Sequence, residues 1–406
     1  MESLGAYVHI PFCLKKCAYC DFLSFSGLGE EAQAAYAKAL LREIEGAAAL
    51  YAGRFSLDSV FFGGGTPSFP PASMVTDAIA ALRASFSFAR DAEITVEANP
   101  GTLDEGKLDA YLRAGANRLS IGAQSMDGAM LRRLGRAHGR DDTARAYAMA
   151  RRAGFGNISL DMIFAIPGQS ARIWEESLSE AIALGPEHMS FYAMQIEKGT
   201  PLWRECQGGR LQPVDDETDR QMYHAAVAML EGSGLRRYEI SNAAREGRRC
   251  RHNLRYWSMG DYLGLGLGAH SFIDGVRMGN RRSMAAYARA GAEGGFRAWS
   301  RANTERDSIS EFIFLGMRRA DGISAEAFRG RFGHDFLDMF GREAKKLAEA
   351  GLIELVVGGE GGAGGGGAGG AGETGGEGGA GGGLSIRLTD RGFDFADAVF
   401  VEFVEG

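Results

Sequence analysis

The chain has 406 residues, of which 45% are hydrophobic and 24% charged, as expected for a globular protein with two or three domains. Its formal net charge of −7 lies entirely in residues 301–406, which hold 11 Lys and Arg against 18 Asp and Glu. A nucleic-acid-binding protein is expected to carry a basic face, so this distribution argues against that class. The sequence has no signal-peptide pattern at its start and no run of the ~18 apolar residues that a membrane helix needs, so we expect a cytoplasmic protein.

Three of the five cysteines, Cys13, Cys17 and Cys20, follow a C-x3-C-x2-C spacing. A disulfide framework would spread an even number of cysteines over a small secreted chain, so this cluster indicates a set of ligands. Structural zinc takes four ligands, usually as two pairs, and no second pair follows. Three thiolates suit a cubane iron–sulfur cluster in which one iron has no protein ligand.

Short apolar runs alternate with longer amphipathic segments up to about residue 195. The six runs are Ala6–Ile10, Ser59–Phe62, Glu93–Glu97, Arg118–Ile121, Ile158–Phe164 and His188–Met194. The first intervening segment, Ala32–Leu50, places its apolar side chains on one face of a predicted helix. Six such β–α repeats predict an α/β fold, a parallel sheet curled as a partial (β/α)6 barrel. The chemistry of such barrels lies at the C-terminal ends of the strands.

The first strand enters the cysteine cluster through Tyr7-Val8-His9-Ile10-Pro11-Phe12-Cys13. This string, with Cys17, Tyr19 and Cys20, resembles the cluster loop of radical S-adenosylmethionine (SAM) enzymes, and among them the oxygen-independent coproporphyrinogen III oxidase family. The resemblance implies that the three cysteines hold a [4Fe–4S] cluster whose fourth iron is chelated by SAM. It also implies an electron donor of flavodoxin or ferredoxin type, whose electron can cleave SAM to methionine and a 5′-deoxyadenosyl radical.

Residues at the ends of the later strands match the SAM site of that family. The glycines of Gly63-Gly64-Gly65-Thr66 let a backbone approach a ligand closely, and their amides can accept an anionic group. Asp161 lies within an apolar run, where a carboxylate needs a partner such as a ligand hydroxyl. The resemblance makes Asp161 the ribose-binding acid and brings Arg136 near the SAM carboxylate. The expected SAM-binding residues are Tyr7, Gly64, Gly65, Thr66, Glu97, Gln124, Arg136, Asp161 and, through its backbone, Ala193.

A second motif follows at Cys250-Arg251-His252-Asn253-Leu254-Arg255-Tyr256-Trp257. The pattern H-N-x-x-Y-W resembles the signature of one branch of the family, the haem chaperones of HemW type. The resemblance implies a haem site with His252 as the axial ligand, Asn253 beside it, and Tyr256 and Trp257 as an apolar wall. Two neighbouring arginines, Arg251 and Arg255, are candidates for the haem propionates, and Cys250 is a rival iron ligand.

The barrel pattern ends near residue 200, so we predict three domains. Residues 1–200 form the barrel, and 201–304 an extension that carries the H-N-x-x-Y-W motif. Residues 305–406 form a C-terminal α+β domain that resembles a winged helix. Within the last domain, residues 358–383 contain only Gly, Ala, Glu and Thr, a composition that predicts a disordered hairpin tip.

Two departures separate this chain from the oxidases themselves. Those enzymes continue the cluster motif to a fourth cysteine, C-x3-C-x2-C-x-C, whereas Phe22 stands at that place here, and they lack H-N-x-x-Y-W. We therefore predict a haem chaperone that passes haem to a haem-requiring acceptor protein, with any membrane association transient and only through that acceptor. Oxidative decarboxylation of coproporphyrinogen III is the alternative, and whether SAM is turned over stays open. No catalytic residue is assigned.

Overall fold

The computed structural model describes residues 1–291, 294–357 and 383–404. The chain divides into two compact units, one of Met1–Tyr256 with Gly260–Asn303 and the other of Trp257–Met259 with Thr304–Gly406. The sequence predicts residues 201–304 as an extension, and of these residues 201–256 and 260–303 lie in the same unit as the barrel.

The first unit contains the strands and helices of the barrel and of the extension. Its strands are β1 (Glu2–Ile10), β2 (Phe12–Cys13), β3 (Phe25–Ser26), β4 (Phe55–Gly64), β5 (Ser87–Ala98), β6 (Arg118–Gln124), β7 (Ile158–Phe164), β8 (His188–Ala193), β9 (Arg236–Glu239), β10 (Asn242–Ala244), β11 (Tyr262–Leu265), β12 (His270–Ile273), β13 (Val276–Asn280) and β14 (Arg297–Ala302). Its helices are α1 (Glu30–Tyr51), α2 (Ser73–Ser85), α3 (Glu105–Ala114), α4 (Gly128–Arg133), α5 (Arg140–Ala153), α6 (Ala171–Ala183), α7 (Pro201–Gln207), α8 (Asp216–Gly232), α9 (Arg251–Trp257) and α10 (Met284–Ala288), with a 3-10 turn at Pro100–Thr102.

The six predicted strands form the centre of one large sheet, in which β1, β4, β5, β6, β7 and β8 are consecutive parallel neighbours. Their order in the sheet follows their order in the chain, as in a barrel of successive β–α units. The α/β fold with a partial (β/α)6 barrel is thus confirmed. Strands β10 and β9 extend the sheet beyond β8, and β11, β12, β13 and β14 extend it beyond β1.

Strand β1 shows how the sequence positions the site. Leu4, Ala6, Val8 and Ile10 have no exposed surface and pack in the main hydrophobic core, which α1 joins through Tyr36, Leu40 and Ile44. Because successive side chains in a strand point to opposite faces, Tyr7 and His9 face the inside of the barrel.

The strand β11 was not recognised in the sequence, where Leu263-Gly264-Leu265 alternates glycine with leucine. It pairs in parallel with β1, with Tyr7 opposite Gly264. A side chain at Gly264 would collide with the carbonyl oxygen of His270, so glycine is required for β12 to fold back closely on β11.

The second unit contains helices packed with a small antiparallel sheet, which confirms the winged-helix-like C-terminal domain. Its elements are α11 (Glu305–Gly316), β15 (Ile323–Ser324), α12 (Ala325–Phe332), α13 (Phe336–Glu349), β16 (Ile353–Val357), β17 (Leu384–Leu388), α14 (Asp390–Asp394) and α15 (Ala396–Val404). The strand order is β15-β17-β16. The core includes the rings of Phe328, Phe336, Phe340 and Phe403, which meet in edge-on or tilted contacts.

The hairpin tip predicted at residues 358–383 lies outside the described residues, except for Gly383. Within the part of the chain that is described, no helix is both long and apolar enough to cross a membrane.

Candidate functional site

Cys13 ends β2, just beyond the C-terminal end of β1, and Cys17 and Cys20 lie in the loop between β2 and β3. Cys13 is buried, whereas Cys17 and Cys20 are half-buried. The loop is fixed through Ala18, whose N–H donates to the carbonyl oxygen of Leu134 (2.9 Å) and whose carbonyl accepts from the N–H of Leu202 (2.8 Å). The cysteine loop is therefore tied to the end of α4 and to the start of α7.

Two of the sulfurs accept hydrogen bonds from side chains outside the cysteine loop. Thr66 Oγ1, after β4, donates to Cys13 Sγ at 3.6 Å. Arg136 Nη1, in the loop after α4, donates to Cys17 Sγ at 3.5 Å. Hydrogen-bond donors and a positive charge stabilise thiolate ligands, so these contacts suit sulfurs that bind a metal cluster.

The donor set fits a cubane cluster better than a single ion. Among the described residues, no three His, Cys, Asp or Glu side chains converge as the ligands of one ion must. The cysteines of a [4Fe–4S] cluster bind different irons, so their sulfurs stand apart. Burial raises the pKa of the thiols of Cys13 and Cys20, which are protonated until a metal displaces the proton. Within the same described part, buried Gln124 Oε1 and Arg136 Nε at this mouth have no hydrogen-bond partner and remain available to a ligand.

The glycine turn after β4 packs tightly against β1 and the cysteine loop. Gly64 has a φ of 110°, which only glycine adopts easily, and a side chain there would collide with the ring of His9. A side chain at Gly65 would collide with the carbonyl oxygens of Ile10 and Phe12. The Gly65 N–H donates to Ile10 (2.9 Å) and the Gly64 N–H to the carboxylate of Glu97. Both amides are thus already bonded within the protein, and the glycines mainly permit close packing.

Two carboxyl groups, Glu97 on β5 and Asp161 on β7, face the inside of the barrel. Burial, followed by the charge of Asp161, raises the pKa of Glu97 to about 8, so this group holds a proton at neutral pH. Burial also raises the pKa of Asp161, although the hydroxyls of Ser190 and Ser120 oppose the shift. The Ser120 hydroxyl lies 3.1 Å from both oxygens of Asp161, so part of the hydrogen-bonding capacity of this carboxylate is already used.

One contributor to the site, Asn99, was not singled out from the sequence. Its side-chain nitrogen donates to Thr66 Oγ1 (2.9 Å), and its oxygen accepts from Arg136, which also donates to the carbonyl of Gly122 (2.7 Å). Asn99 therefore links the two side chains that donate to Cys13 and Cys17. Its place two residues after Glu97, at the end of β5, was the available signal.

The remaining expected SAM residues lie around the same mouth. Gln124 ends β6 with a φ of 62°, a strained conformation for a residue other than glycine. Ala193 ends β8 beside Phe164. The hydroxyl of Tyr7 shares a hydrogen bond with His9 Nδ1 (3.0 Å), while His9 Nε2 bonds the carbonyl of Leu23 in the cysteine loop (2.8 Å). The structure thus brings the SAM candidates to the C-terminal half of the barrel, except Asp161, which lies in the middle of β7.

The helix α9, which carries H-N-x-x-Y-W, contributes His252 to the barrel interior. His252 is 1% exposed and lies against the rings of Phe61 and Tyr7. Both imidazole nitrogens are bonded, Nδ1 to Ser59 Oγ (3.2 Å) and Nε2 to Tyr256 Oη (2.8 Å). Burial lowers the pKa of His252 to about 3, so the ring is neutral at physiological pH.

Acidic groups on β4 and β5 hold α9 in place. The carboxylate of Glu93 accepts from the backbone N–H of Arg251 (3.2 Å) and of His252 (3.3 Å). The side chains of Arg251 and Arg255, expected at the haem propionates, form ion pairs with Asp91 (2.9 Å) and Asp58 respectively. In this conformation both arginines serve to dock the helix.

The remaining aromatic residues and the cysteine of this motif have different neighbours. Tyr256 lies edge-on to His252 and Tyr262, whereas Trp257 belongs to the second unit, where Arg318 lies over its ring at 4.4 Å. Cys250 is fully buried and its sulfur accepts from the backbone of Asn253; burial raises its pKa to about 12, which disfavours it as an iron ligand.

Comparison with known proteins agrees with this geometry. The model of the radical SAM superfamily matches residues 7–181, and that of the HemN C-terminal domain matches residues 303–358. Coproporphyrinogen III oxidase (HemN) from Escherichia coli, a solved structure, superimposes with a TM-score of 0.80 at 23% identity, covering 99% of this chain and 90% of that one. Fold and cysteine loop together define a radical SAM protein, a class whose cofactors are a [4Fe–4S] cluster and SAM.

Relatives with similar sequences show to which family of radical SAM proteins the chain belongs. The heme chaperone HemW of Bacillus subtilis is 37% identical over 352 residues, covering 86% of this chain and 92% of that protein. The heme chaperone HemW of Escherichia coli is 39% identical over 280 residues, covering 68% of this chain and 72% of that protein. The chain belongs to the HemW family.

Proposed function

We propose that this chain is a haem chaperone, which binds haem and delivers it to a haem-requiring acceptor protein. The observation that carries the proposal is the 37% identity, over 86% of the chain, to a protein named as a heme chaperone. A feature of the cluster loop adds support. Phe22, at the place of the oxidases' fourth cysteine, points a largely exposed apolar ring outward and offers no sulfur.

The chain's own residues would hold the cofactors at the barrel mouth. Cys13, Cys17 and Cys20 would bind the cluster, and Thr66 and Arg136 would donate to two of its sulfurs. When bound, cluster and SAM supply one-electron cleavage of the sulfonium. The SAM candidates at this mouth are Tyr7, Gly64, Gly65, Thr66, Glu97, Gln124, Arg136, Asp161 and Ala193.

For haem we propose His252 as the axial ligand, with Asn253, Tyr256 and Trp257 in the same segment. A neutral imidazole is the form that binds iron, and an imidazole released from the barrel interior is largely neutral near pH 7. Because Nε2 is bonded to Tyr256 and the ring is buried, ligation requires α9 to leave its docked position. We therefore propose that haem selects a conformation in which α9 is released.

The partners follow from this role. They are a haem-accepting protein and an electron donor of flavodoxin or ferredoxin type. All five cysteines are free thiols, which suits the reducing cytoplasm.

The test of the function separates it from the alternative. The reconstituted chain is supplied with SAM, reductant and coproporphyrinogen III under anaerobic conditions. We expect no protoporphyrinogen, because Phe22 replaces the fourth cysteine. Sustained multiple turnover would support the alternative, that the chain is an oxygen-independent coproporphyrinogen III oxidase.

A further inference from the structure

Two large apolar side chains are exposed on the cysteine loop. Leu14, directly after Cys13, is 54% exposed, and Phe22, two residues after Cys20, is 64% exposed. Neither belongs to the hydrophobic core, and neither is among the residues expected to bind the cluster or SAM. In sequence they flank Cys17 and Cys20, which are half-buried.

Positive charge surrounds these apolar side chains. Lys15 and Lys16 are exposed between Cys13 and Cys17, and Lys16 Nζ donates to the carbonyl of Phe22 (3.0 Å). Arg282 is also exposed, and it borders Gly268 together with Leu23 of the loop. One carboxylate, Asp21, lies in the same stretch. The set is basic although the chain as a whole has a net charge of −7.

This combination of exposed apolar and basic side chains is typical of a transient protein interface. Such interfaces commonly have exposed apolar side chains surrounded by polar and charged ones. The interfaces of electron-transfer complexes are among the smallest in buried area. A basic surface steers acidic partners towards it.

We propose that Leu14, Lys15, Lys16, Phe22 and Arg282 form the docking surface for a small acidic one-electron carrier protein that reduces the cluster. The inference rests on the proposed function, because it assumes that the three cysteines hold a cluster. One electron passes from the carrier's reduced flavin or iron–sulfur centre to the cluster. The carrier is oxidised by one electron, the cluster is reduced by one, and no bond forms or breaks.

The experiment compares two routes of reduction of the reconstituted chain. Reduced flavodoxin and reduced ferredoxin serve as the acidic carriers, dithionite as a small reductant, and the visible absorbance of the cluster reports the rate. Lys15→Glu and Phe22→Ser are the test variants, because both side chains are exposed and Lys16, which lies close to the thiols, is left intact. Lys345→Glu, an exposed lysine on α13, is the matched control.

We expect each test variant to be reduced at least tenfold more slowly by one of the carriers, and to bind that oxidised carrier at least tenfold more weakly in a titration. Reduction by dithionite, cluster content and reduction potential should stay at wild-type values, and Lys345→Glu should behave as wild type. The carrier that reacts identifies the centre that supplies the electron.

Three results would overturn the inference. The first is that the test variants react with both carriers as fast as wild type. The second is that the wild-type chain binds neither carrier although its cluster forms. The third is that Phe22→Ser changes the oligomeric state, which would make this surface a contact between copies of the chain. Failure of the wild type to assemble any cluster would instead contradict the proposed function.

Discussion

The guanidinium of Arg136 donates a hydrogen bond to the sulfur of Cys17 across 3.5 Å, although 119 residues separate the two in sequence. Arg136 also reaches Asn99 and the carbonyl of Gly122, so the contact connects the cluster loop to the ends of β5 and β6. The ligand loop is thus positioned by the barrel rather than by its own short sequence.

This arrangement predicts the effect of losing one thiol. Cys17→Ala should abolish or severely reduce the [4Fe–4S] signal after anaerobic reconstitution, because two protein ligands cannot replace three. Iron content and the EPR spectrum of the reduced form measure how much cluster is assembled. The control is Cys206→Ala, a half-buried cysteine on α7 that should leave the cluster intact. A full cluster in Cys17→Ala would contradict the ligand assignment.

A buried carboxyl group predicts a pH dependence of stability. Glu43 on α1 accepts hydrogen bonds from Tyr287, Asn280 and the N–H of Gly266, and burial raises its pKa from 4.5 to about 7 despite them. The folded chain therefore holds this proton more tightly than the unfolded chain. The contribution of this proton to the free energy of unfolding is complete below about pH 4.5. It is lost as the pH rises towards 7, by about 3 kcal/mol in total.

Urea unfolding between these pH values measures that contribution. Glu43→Gln should remove the corresponding part of the pH slope, whereas Glu45→Gln, an exposed position on the same helix, should keep the wild-type slope. Equal slopes in wild type and Glu43→Gln would show that the buried group does not titrate as described.

The segment 358–383 can be tested by deletion. Val357 and Leu384 are paired across the β16–β17 hairpin, so a two-residue Asn-Gly turn can replace the segment between them. We expect the melting temperature to stay within about 2 °C of wild type, and cluster content and haem binding to be unchanged. Ile386→Ala, at a fully buried position of the same hairpin, should cost about 2–5 kcal/mol and shows that the assay responds. A large fall on deletion would mean that the segment packs on the protein.

The docked position of α9 predicts an increase in haem affinity when docking is weakened. Asp58→Asn removes the carboxylate that pairs with the largely buried Arg255 and should raise the population of released α9. If His252 binds iron only in that population, the apparent haem affinity rises by the same factor, at least severalfold. Asp91→Asn, which affects the exposed pair with Arg251, is the matched control. An unchanged affinity in Asp58→Asn would mean that haem binds without release of α9.

Much of the barrel could be predicted from the sequence because its strands are apolar runs of the right length and order. Residues Glu97 and Gln124 could be placed at strand ends for the same reason, whereas Asp161 lies in the middle of β7. The role of Asn99 could not, since it depends on Thr66 and Arg136 from separate parts of the chain. Nor could the direction of His252, because a seven-residue helix with His, Arg and aromatic side chains has no face that sequence alone marks as inward.

Haem titration of the reconstituted chain, followed in the Soret region, tests the central claim most directly. The account predicts saturable binding by wild type and, for His252→Ala, a shifted Soret band with affinity at least tenfold weaker, about 1.4 kcal/mol. Cluster content should not change, and His270→Ala and Cys250→Ala should bind as wild type. No haem binding by wild type, or loss of haem in His270→Ala or Cys250→Ala with His252→Ala intact, would contradict it.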